Sequence, residues 1–173
     1  MILTGNAIIK AVQANEISFD PFVTDQVNPN SMNYRIGDEL YVLNEGLLDP
    51  KQEKTFTQLV FGKNGYVLEP GKLYLGHTKE KIGSQMYVPK LIGRSSVGRL
   101  GLFLQVTADL GQLGAAHQWT LELRVVQPLR IYPGMKIGQV SFWTVMGDIE
   151  KTYIGGYTAH NLPAGHVAGR TIT

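Results

Sequence analysis

The sequence predicts a mainly β fold, a sandwich, barrel or jelly roll with few short helices, formed by a single domain over residues 1–173. Twenty glycines and eight prolines divide the chain into short runs. Those runs are rich in residues that favour β-structure, and turn-forming pairs such as Asn28-Pro29 and Asp49-Pro50 separate them. Helical periodicity is scarce beyond the N-terminal segment, so we expect strands to dominate.

One helix is predicted, over residues 5–14. Thr4 can cap it, because its hydroxyl can accept a hydrogen bond from a free backbone N–H of the first turn. Ile8, Ile9 and Val12 fall on one face, as expected for a helix that packs one side on a core. Further along the chain, strands are predicted over Glu39–Leu43, Thr55–Val60 and Lys72–Leu75.

The clearest strand pattern is at Leu121–Val125, where apolar and polar residues alternate. Since successive side chains of a strand point to opposite faces, Glu122 and Arg124 are expected on one face and the apolar residues on the buried face. Another strand is predicted over Lys136–Trp143. Residues 153–173 show no packing period and are expected to form a mobile C-terminal tail.

Composition excludes several classes of protein. With 43% hydrophobic and 17% charged residues, the chain is expected to be globular and not disordered. The net charge of +2 is too small for global electrostatics to attract nucleic acid or a membrane surface. No apolar run approaches a bilayer-spanning length, and the first residues lack the basic region of a signal peptide. We therefore expect a cytoplasmic protein with no nucleic-acid or membrane partner.

The absence of cysteine excludes disulfides and argues against one class of enzyme. Zinc-dependent nucleobase deaminases use a histidine and two thiolates, in H-x-E and P-C-x-x-C motifs that are missing here. The histidines also lack the close spacing of metal ligands; they are His77, His117, His160 and His166. No protein-bound metal site is predicted.

The segment Gly93–Gly101 combines two arginines, two adjacent hydroxyls and three glycines. Guanidinium groups fork onto phosphate oxygens, hydroxyls donate further hydrogen bonds, and glycines let the backbone approach closely. The segment therefore suits a phosphate-binding turn, although it is no Walker A loop because G-K-[ST] is absent. The alternative is a polar turn with exposed arginines.

Glu122 is the second residue that can carry chemistry. It lies between Leu121 and Leu123 on the predicted strand, where a carboxylate can serve as a general acid or base if its face borders an enclosed site. The alternative is a side chain that points into bulk solvent.

Together these segments resemble the signature of the dCTP deaminase family. The resemblance implies the trimeric dUTPase-like fold, a mainly β distorted jelly roll or β-barrel with few short helices. Gly93–Gly101 continues into Leu102–Ala108, and Trp119–Leu123 follows at the spacing where that family carries its catalytic glutamate. Weaker similarities extend over most of the chain and comprise Met1–Thr4, Ile17–Phe22, Asn28–Gly37, Pro133–Gly138 and Tyr153–Tyr157. The resemblance implies a homotrimer in a bacterial or phage-infected cell.

The resemblance implies hydrolytic deamination of dCTP to dUTP and ammonia, without zinc, by a water that Glu122 activates. It implies that Mg²⁺ is bound through the oxygens of the triphosphate and that residues 153–173 close over the site as a lid. The catalytic set that it implies is Glu122, Arg99, Ser95 and Ala108. The nucleotide-binding set that it implies is Arg94, Ser95, Ser96, Arg99, Val106, Thr107, Gln112, Tyr153 and Tyr157.

Four positions depart from the family pattern. Gln112 stands where an aspartate is expected, and glutamine can hydrogen-bond a hydroxyl but cannot act as a base. Ala115 replaces an aromatic residue, Asn33 an aspartate, and Gly156 a lysine. These departures leave three alternatives open: a bifunctional dCTP deaminase and dUTP pyrophosphatase, a deaminase or hydrolase of another or modified deoxynucleotide, and a non-catalytic nucleotide-binding regulator.

Overall fold

A computed structural model describes residues 1–104, 108–114 and 116–153. These residues form two short α-helices, one 3₁₀ turn and eleven strands, joined by loops and turns. The helices are α1 (Gly5–Gln13) and α2 (Ser95–Gly98), and the 3₁₀ turn is Thr24–Gln26. The strands are β1 (Ile17–Asp20), β2 (Met32–Arg35), β3 (Leu40–Leu43), β4 (Phe56–Leu59), β5 (Tyr66–Leu68), β6 (Tyr74–Ser84), β7 (Tyr87–Gly93), β8 (Leu102–Leu104), β9 (His117–Val125), β10 (Leu129–Ile131) and β11 (Lys136–Thr144).

The strands form three antiparallel sheets. The largest has the order β4-β3-β6-β9-β8, with β1 also paired to β6. The second has the order β2-β11-β7, and the third is the pair β10-β5. The predicted mainly β fold with few short helices is confirmed.

The predicted N-terminal helix is present, and its start and burial follow from its sequence. Thr4 has extended backbone angles, and its hydroxyl accepts a hydrogen bond of 3.4 Å from the backbone N–H of Ala7. Ile8 and Ala11 are buried, so the apolar face packs on the core. The helix ends at Gln13, and the N–H of Ala14 completes it by donating to the carbonyl of Lys10.

The hydrophobic core lies between the large sheet and the β2-β11-β7 sheet. Tyr34, Leu121 and Phe142 are fully buried within it. On β9, Leu121, Leu123 and Val125 are buried, while the intervening side chains stay partly or fully exposed. This alternation, predicted from the sequence, turns the polar face of β9 away from the core.

The predicted strand Lys72–Leu75 overlaps β6 only at Tyr74 and Leu75, because β6 begins at Tyr74 and continues to Ser84. Its middle is polar, yet Thr78 and Glu80 are fully buried. Glu80 accepts hydrogen bonds from the Nε of Arg35 at 2.6 Å and from the side-chain amide of Gln26 at 2.9 Å. Hydrogen bonding thus compensates for burial of these polar groups, a non-local effect that a local pattern of apolar residues does not reveal.

The single-domain assignment and the lid over residues 153–173 stay predictions, because residues 154–173 lie outside the described part of the chain. Across the described ranges, no helix has the length and apolar character needed to cross a membrane.

Candidate active site

Glu122 lies on the polar face of β9, opposite Leu75 of the neighbouring strand β6. Its two chain neighbours, Leu121 and Leu123, are fully buried and hold the backbone of β9 against the core. The carboxylate side chain is half-buried. Local alternation on a well-anchored strand therefore sets the direction of Glu122 with little freedom.

Glu122 forms part of the wall of a cavity of about 600 Å³. The cavity lies over β9, β8 and β3 and over the turn that precedes β6. Its lining residues are Leu43, Asn44, Glu45, Gly46, Leu48, Gly71, Lys72, Leu73, Phe103, Glu122 and Arg124. A concave, largely apolar site with a few polar groups is the usual form of a small-molecule site.

The polar side chains of the cavity differ in whether they already have partners. Lys72 forms a 2.7 Å ion pair with Glu69, and Asn44 hydrogen-bonds the hydroxyls of Thr55 and Thr57. These two groups are therefore already engaged within the chain.

Glu45, Glu122 and Arg124, by contrast, make no side-chain hydrogen bond or ion pair with another residue in ranges 1–104, 108–114 and 116–153. Three charged groups of the cavity are thus available to a ligand.

The predicted phosphate-binding segment starts at the last residue of β7, continues through the extended residue Arg94 into the short helix α2, and ends in a turn over residues 99–101. Val97 is buried and anchors it, while Ser95, Ser96 and Arg99 are exposed. Gly101 has a φ of 82°, a left-handed conformation that favours glycine, and its N–H donates to the carbonyl of Gly98 at 2.9 Å.

Arg94 is the most constrained member of the segment. It is half-buried, and its Nη1 donates to the carbonyl of Lys136 at 3.3 Å. The side chains of Ser95, Ser96 and Arg99 have no hydrogen-bond or ion-pair partner within the described residues. Two hydroxyls and one guanidinium group are therefore free to bind an anion.

In the part of the chain that the structure describes, the cavity lined by Glu122 does not include the α2 residues. None of Arg94, Ser95, Ser96 and Arg99 is among the residues that line the Glu122 cavity. The two sets are nevertheless linked through the sheet, because β8 follows α2 and pairs with β9. Within one chain, the α2 segment and the Glu122 cavity therefore lie on connected elements without sharing a lining residue.

The loop between β8 and β9 holds several predicted residues. Ala108 and Gln112 are exposed, and between them the backbone of Gly111 donates to the carbonyl of Pro89 at 2.7 Å. Gly111 packs so closely against Pro89 and the Trp119 ring that a side chain there would overlap both. This close approach holds the loop and Gln112 against β7. The predicted residues Val106 and Thr107, and the substituted position Ala115, lie outside the described residues.

The start of the C-terminal tail contacts the same loop. The N–H of Tyr153 donates to the carbonyl of Leu113 at 2.7 Å, and the Tyr153 side chain is 39% exposed. Gly114, with a φ of 114°, packs against Thr152. The tail therefore starts beside Gln112. Tyr157 lies outside the described residues.

His117, at the start of β9, is buried next to this loop. Its ring packs on Trp119 with a centroid distance of 4.3 Å. Burial lowers the pKa of His117 below its usual value, because the charged imidazolium loses contact with water. The imidazole is therefore neutral at neutral pH, and it packs with the Trp119 ring next to the β8–β9 loop.

Comparison with known proteins agrees with these elements. A protein-family model described as dCTP deaminase-like matches residues 2–145, which include α2, the β8–β9 loop and β9. The chain belongs to the dCTP deaminase-like family. The resemblance that the sequence predicted is thereby confirmed for most of the chain.

Members of the dCTP deaminase-like family from several bacteria are similar over nearly their whole length. A dCTP deaminase, dUMP-forming, from Hathewaya histolytica is 45% identical over 91% of this chain and 91% of its own length. One of the same name from Clostridium acetobutylicum is 46% identical over 91% and 90%. Another of that name, from Cytophaga hutchinsonii, is 45% identical over 93% and 92%.

A solved structure of a dCTP deaminase-like protein also shares the fold. It is the 2′-deoxycytidine 5′-triphosphate deaminase from Agrobacterium tumefaciens, with a TM-score of 0.64 and 22% sequence identity. The match covers 82% of this chain and 47% of that chain, so this chain spans about half the length of its structural neighbour. At this identity the likeness supports the fold alone.

Most residues of the cavity wall were not among the predicted site residues, and Phe103 and Lys72 are two examples. Phe103 and Lys72 lie on β8 and on the turn before β6, far from Glu122 along the chain. Arg124 was expected on the face of Glu122, and this alternation was the one sequence signal for its place in the cavity.

Proposed function

We propose that this protein deaminates dCTP by hydrolysis, with Glu122 as the general acid and base. The observation that carries the proposal is an uncommitted, half-buried carboxylate on the wall of a 600 Å³ cavity. Family membership and the names of relatives at about 45% identity support the choice of dCTP as substrate.

In the proposed reaction, Glu122 accepts a proton from a water molecule as its oxygen attacks C4 of cytosine. A C–O bond forms as the C4=N3 double bond opens and its electron pair moves to N3, which leaves a tetrahedral C4. Glu122 returns the proton to the exocyclic nitrogen, and the C–N bond breaks as the ring double bond re-forms and ammonia leaves. The remaining hydroxyl proton moves to N3, which gives uracil. The products are dUTP and ammonia, and the carboxylate is regenerated. A positioned general acid and base of this kind contributes roughly 10²- to 10⁴-fold to a rate.

Arg94, Ser95, Ser96 and Arg99 are proposed to bind the triphosphate. Because they do not line the Glu122 cavity of their own chain, we propose that a site forms where copies of the chain meet, in a homotrimer. Arg99 and Ser95 would also position the attacking water. The uncommitted side chains of Ser95, Ser96 and Arg99 support this assignment.

The remaining nucleotide contacts are proposed because the sequence resembles the dCTP deaminase family at these positions. Val106, Thr107 and the carbonyl of Ala108 would contact the base and orient the water, Gln112 would contact the sugar, and Tyr153 and Tyr157 would belong to a lid. Mg²⁺ would arrive bound to the triphosphate as part of the substrate. The described residues contain no cluster of three or more His, Asp or Glu side chains that could hold a metal ion.

A second candidate function is the conversion of dCTP to dUMP, with release of ammonia and pyrophosphate. The observation that favours it is the name of the relatives, dCTP deaminase, dUMP-forming. Gln112 argues against it, because an amide cannot take the proton of a water that attacks phosphorus. Gln112 is exposed and open to a ligand.

Turnover of dCTP tests the first proposal. We expect purified protein with dCTP and Mg²⁺ to release ammonia and to shift the ultraviolet spectrum from cytosine to uracil. Glu122→Gln is expected to lower kcat at least a hundredfold. Glu45→Gln is the matched control, since it removes a carboxylate from the same cavity. Equal activity of Glu122→Gln and wild type would overturn the proposed mechanism. Turnover of a different deoxynucleotide alone would overturn the substrate.

Analysis of the nucleotide product separates the two candidate functions. Wild-type protein is expected to yield dUTP with little pyrophosphate, and Gln112→Asp is expected to raise pyrophosphate release because it supplies a base. Stoichiometric pyrophosphate and dUMP from wild-type protein would establish the second function and show that it needs no carboxylate at position 112.

A further inference from the structure

The cavity contains one free cation whose role the proposed reaction leaves unassigned. Arg124 is exposed and has no hydrogen-bond or ion-pair partner in the described parts of the chain. The other cationic side chain of the cavity, Lys72, is neutralised by Glu69 at 2.7 Å. An unpaired guanidinium group that faces a small-molecule cavity is therefore the strongest anion-binding group on this wall.

The position of Arg124 relative to Glu122 follows from the geometry of β9. The two residues are separated by one position on a strand, so their side chains share a face and their Cα atoms lie about 7 Å apart. An arginine side chain spans a similar length. Arg124 can thus contact a part of the ligand removed from the atom on which Glu122 acts.

Phe103 restricts where the Arg124 side chain can lie. The two residues lie directly opposite each other in the antiparallel register of β8 and β9. Phe103 is 48% exposed and lines the same cavity. Side chains at directly opposed positions are neighbours, so the aromatic ring restricts the region that the guanidinium group can sample.

We propose that Arg124 is a specificity-determining residue that binds the phosphate chain of the substrate and favours a nucleoside triphosphate over the same nucleoside with fewer phosphates. The proposal rests on the proposed function, because it takes the Glu122 cavity as the nucleotide site. It adds a phosphate contact on the carboxylate wall to those of the α2 segment. Phosphate is the anionic part of a nucleotide, and a guanidinium group recognises it by paired N–H···O bonds.

Steady-state kinetics test this role. Arg124→Gln is expected to raise KM for dCTP between tenfold and a hundredfold with kcat changed less than threefold, because a charge-assisted contact made equally in the ground and transition states is lost. The preference for dCTP over dCMP should fall by a similar factor. Arg124→Lys, which keeps the charge, is expected to recover part of the loss. Arg130→Gln, on β10 outside the cavity, is the matched control.

A binding experiment separates this proposal from the proposed function. Inorganic tripolyphosphate is expected to raise the Tm of wild-type protein and of Glu122→Gln, and to raise it much less in Arg124→Gln. That readout needs no turnover. If wild type converts dCTP but Arg124→Gln shows unchanged KM and an unchanged shift with tripolyphosphate, the Arg124 proposal is overturned while the deaminase proposal stands.

Light scattering tests the competing explanation, in which Arg124 contacts a second copy of the chain and not the substrate. A lower mass of Arg124→Gln than of wild type at equal concentration would overturn the phosphate-binding role and assign the residue to subunit contact. We expect the two masses to be equal.

Discussion

At the scale of single residues, Glu80 is a fully buried carboxylate whose burial has to be compensated by hydrogen bonds. Its side chain is fully buried, and both carboxylate oxygens accept hydrogen bonds from Arg35, through the guanidinium Nε at 2.6 Å and the backbone N–H at 2.9 Å. Gln26 completes the set and also bonds the carbonyl of Asn33. A buried charge is tolerated only when it is paired in this way.

Replacement of Glu80 is therefore expected to destabilise the fold. Glu80→Gln should lower the free energy of unfolding by about 3 kcal/mol, because the Arg35 guanidinium loses its counter-charge in a mostly buried position. Urea unfolding followed by fluorescence measures the change. Glu69→Gln, which breaks the exposed pair with Lys72, is the control and should cost less than about 1 kcal/mol. A loss at Glu80 as small as that at Glu69 would contradict the importance of the buried pair.

At the scale of elements, the contact between β2 and β11 depends on a glycine. Gly138 lies where a side chain would overlap the ring of Tyr34, which is fully buried. The Tyr34 hydroxyl donates to the carbonyl of Ile92 at 3.2 Å on the adjacent strand β7, and burial raises the pKa of this phenol well above its usual value. One tyrosine thereby links all three strands of the β2-β11-β7 sheet.

The substitution Gly138→Ala tests this contact. It is expected to lower the free energy of unfolding by about 1–3 kcal/mol, because the added methyl group must displace the Tyr34 ring in a packed core. Gly62→Ala is the matched control, since its added methyl group meets no atom within 4 Å. That control should stabilise by about 0.4–1 kcal/mol through a less flexible unfolded chain. Thermal and urea unfolding report both values, and equal effects would contradict the packing argument.

At the scale of the whole molecule, the separation of α2 from the Glu122 cavity carries the proposal of a shared site. Several large apolar side chains near both regions stay exposed in the single chain, among them Ile92, Leu100 and Val126. Exposed apolar side chains next to a functional region are typical of surfaces that meet a partner. We therefore expect these side chains to lie in contacts between subunits. For the homotrimer that the family resemblance implies, the expected mass by light scattering is three times the 19.1 kDa of the chain.

Mixing two inactive variants tests whether the site is shared. Arg99→Gln and Glu122→Gln are each expected to be inactive alone, because each lacks one half of every site. When the two are co-expressed, sites that combine an intact Arg99 with an intact Glu122 should restore about a quarter of wild-type activity per site, by random assembly of a symmetric oligomer. Activity that stays at the level of the single variants would instead place both residues of each site in one chain.

Local physics explains what could be predicted from the sequence. Alternation of apolar and polar residues placed Glu122 and Arg124 on the outer face of β9, and the Thr4 cap placed the start of α1. The composition of Gly93–Gly101 indicated an anion-binding turn, although the short helix α2 within it was not predicted. Four residues are too short for a helical period to show. The family was predicted from the spacing between this turn and Glu122, and it is confirmed.

What the sequence determined by itself was the class of fold, the family and the outward direction of Glu122. The first and the last depend on neighbours within a few positions along the chain, and the family was predicted from motifs and their spacing in the sequence. Tertiary structure alone decided that Phe103 and Lys72 join Glu122 in one cavity, that Lys72 is already paired, and that Arg124 is free. It also decided that α2 lies outside that cavity. These outcomes depend on strand register and on contacts between distant segments, which no local pattern encodes.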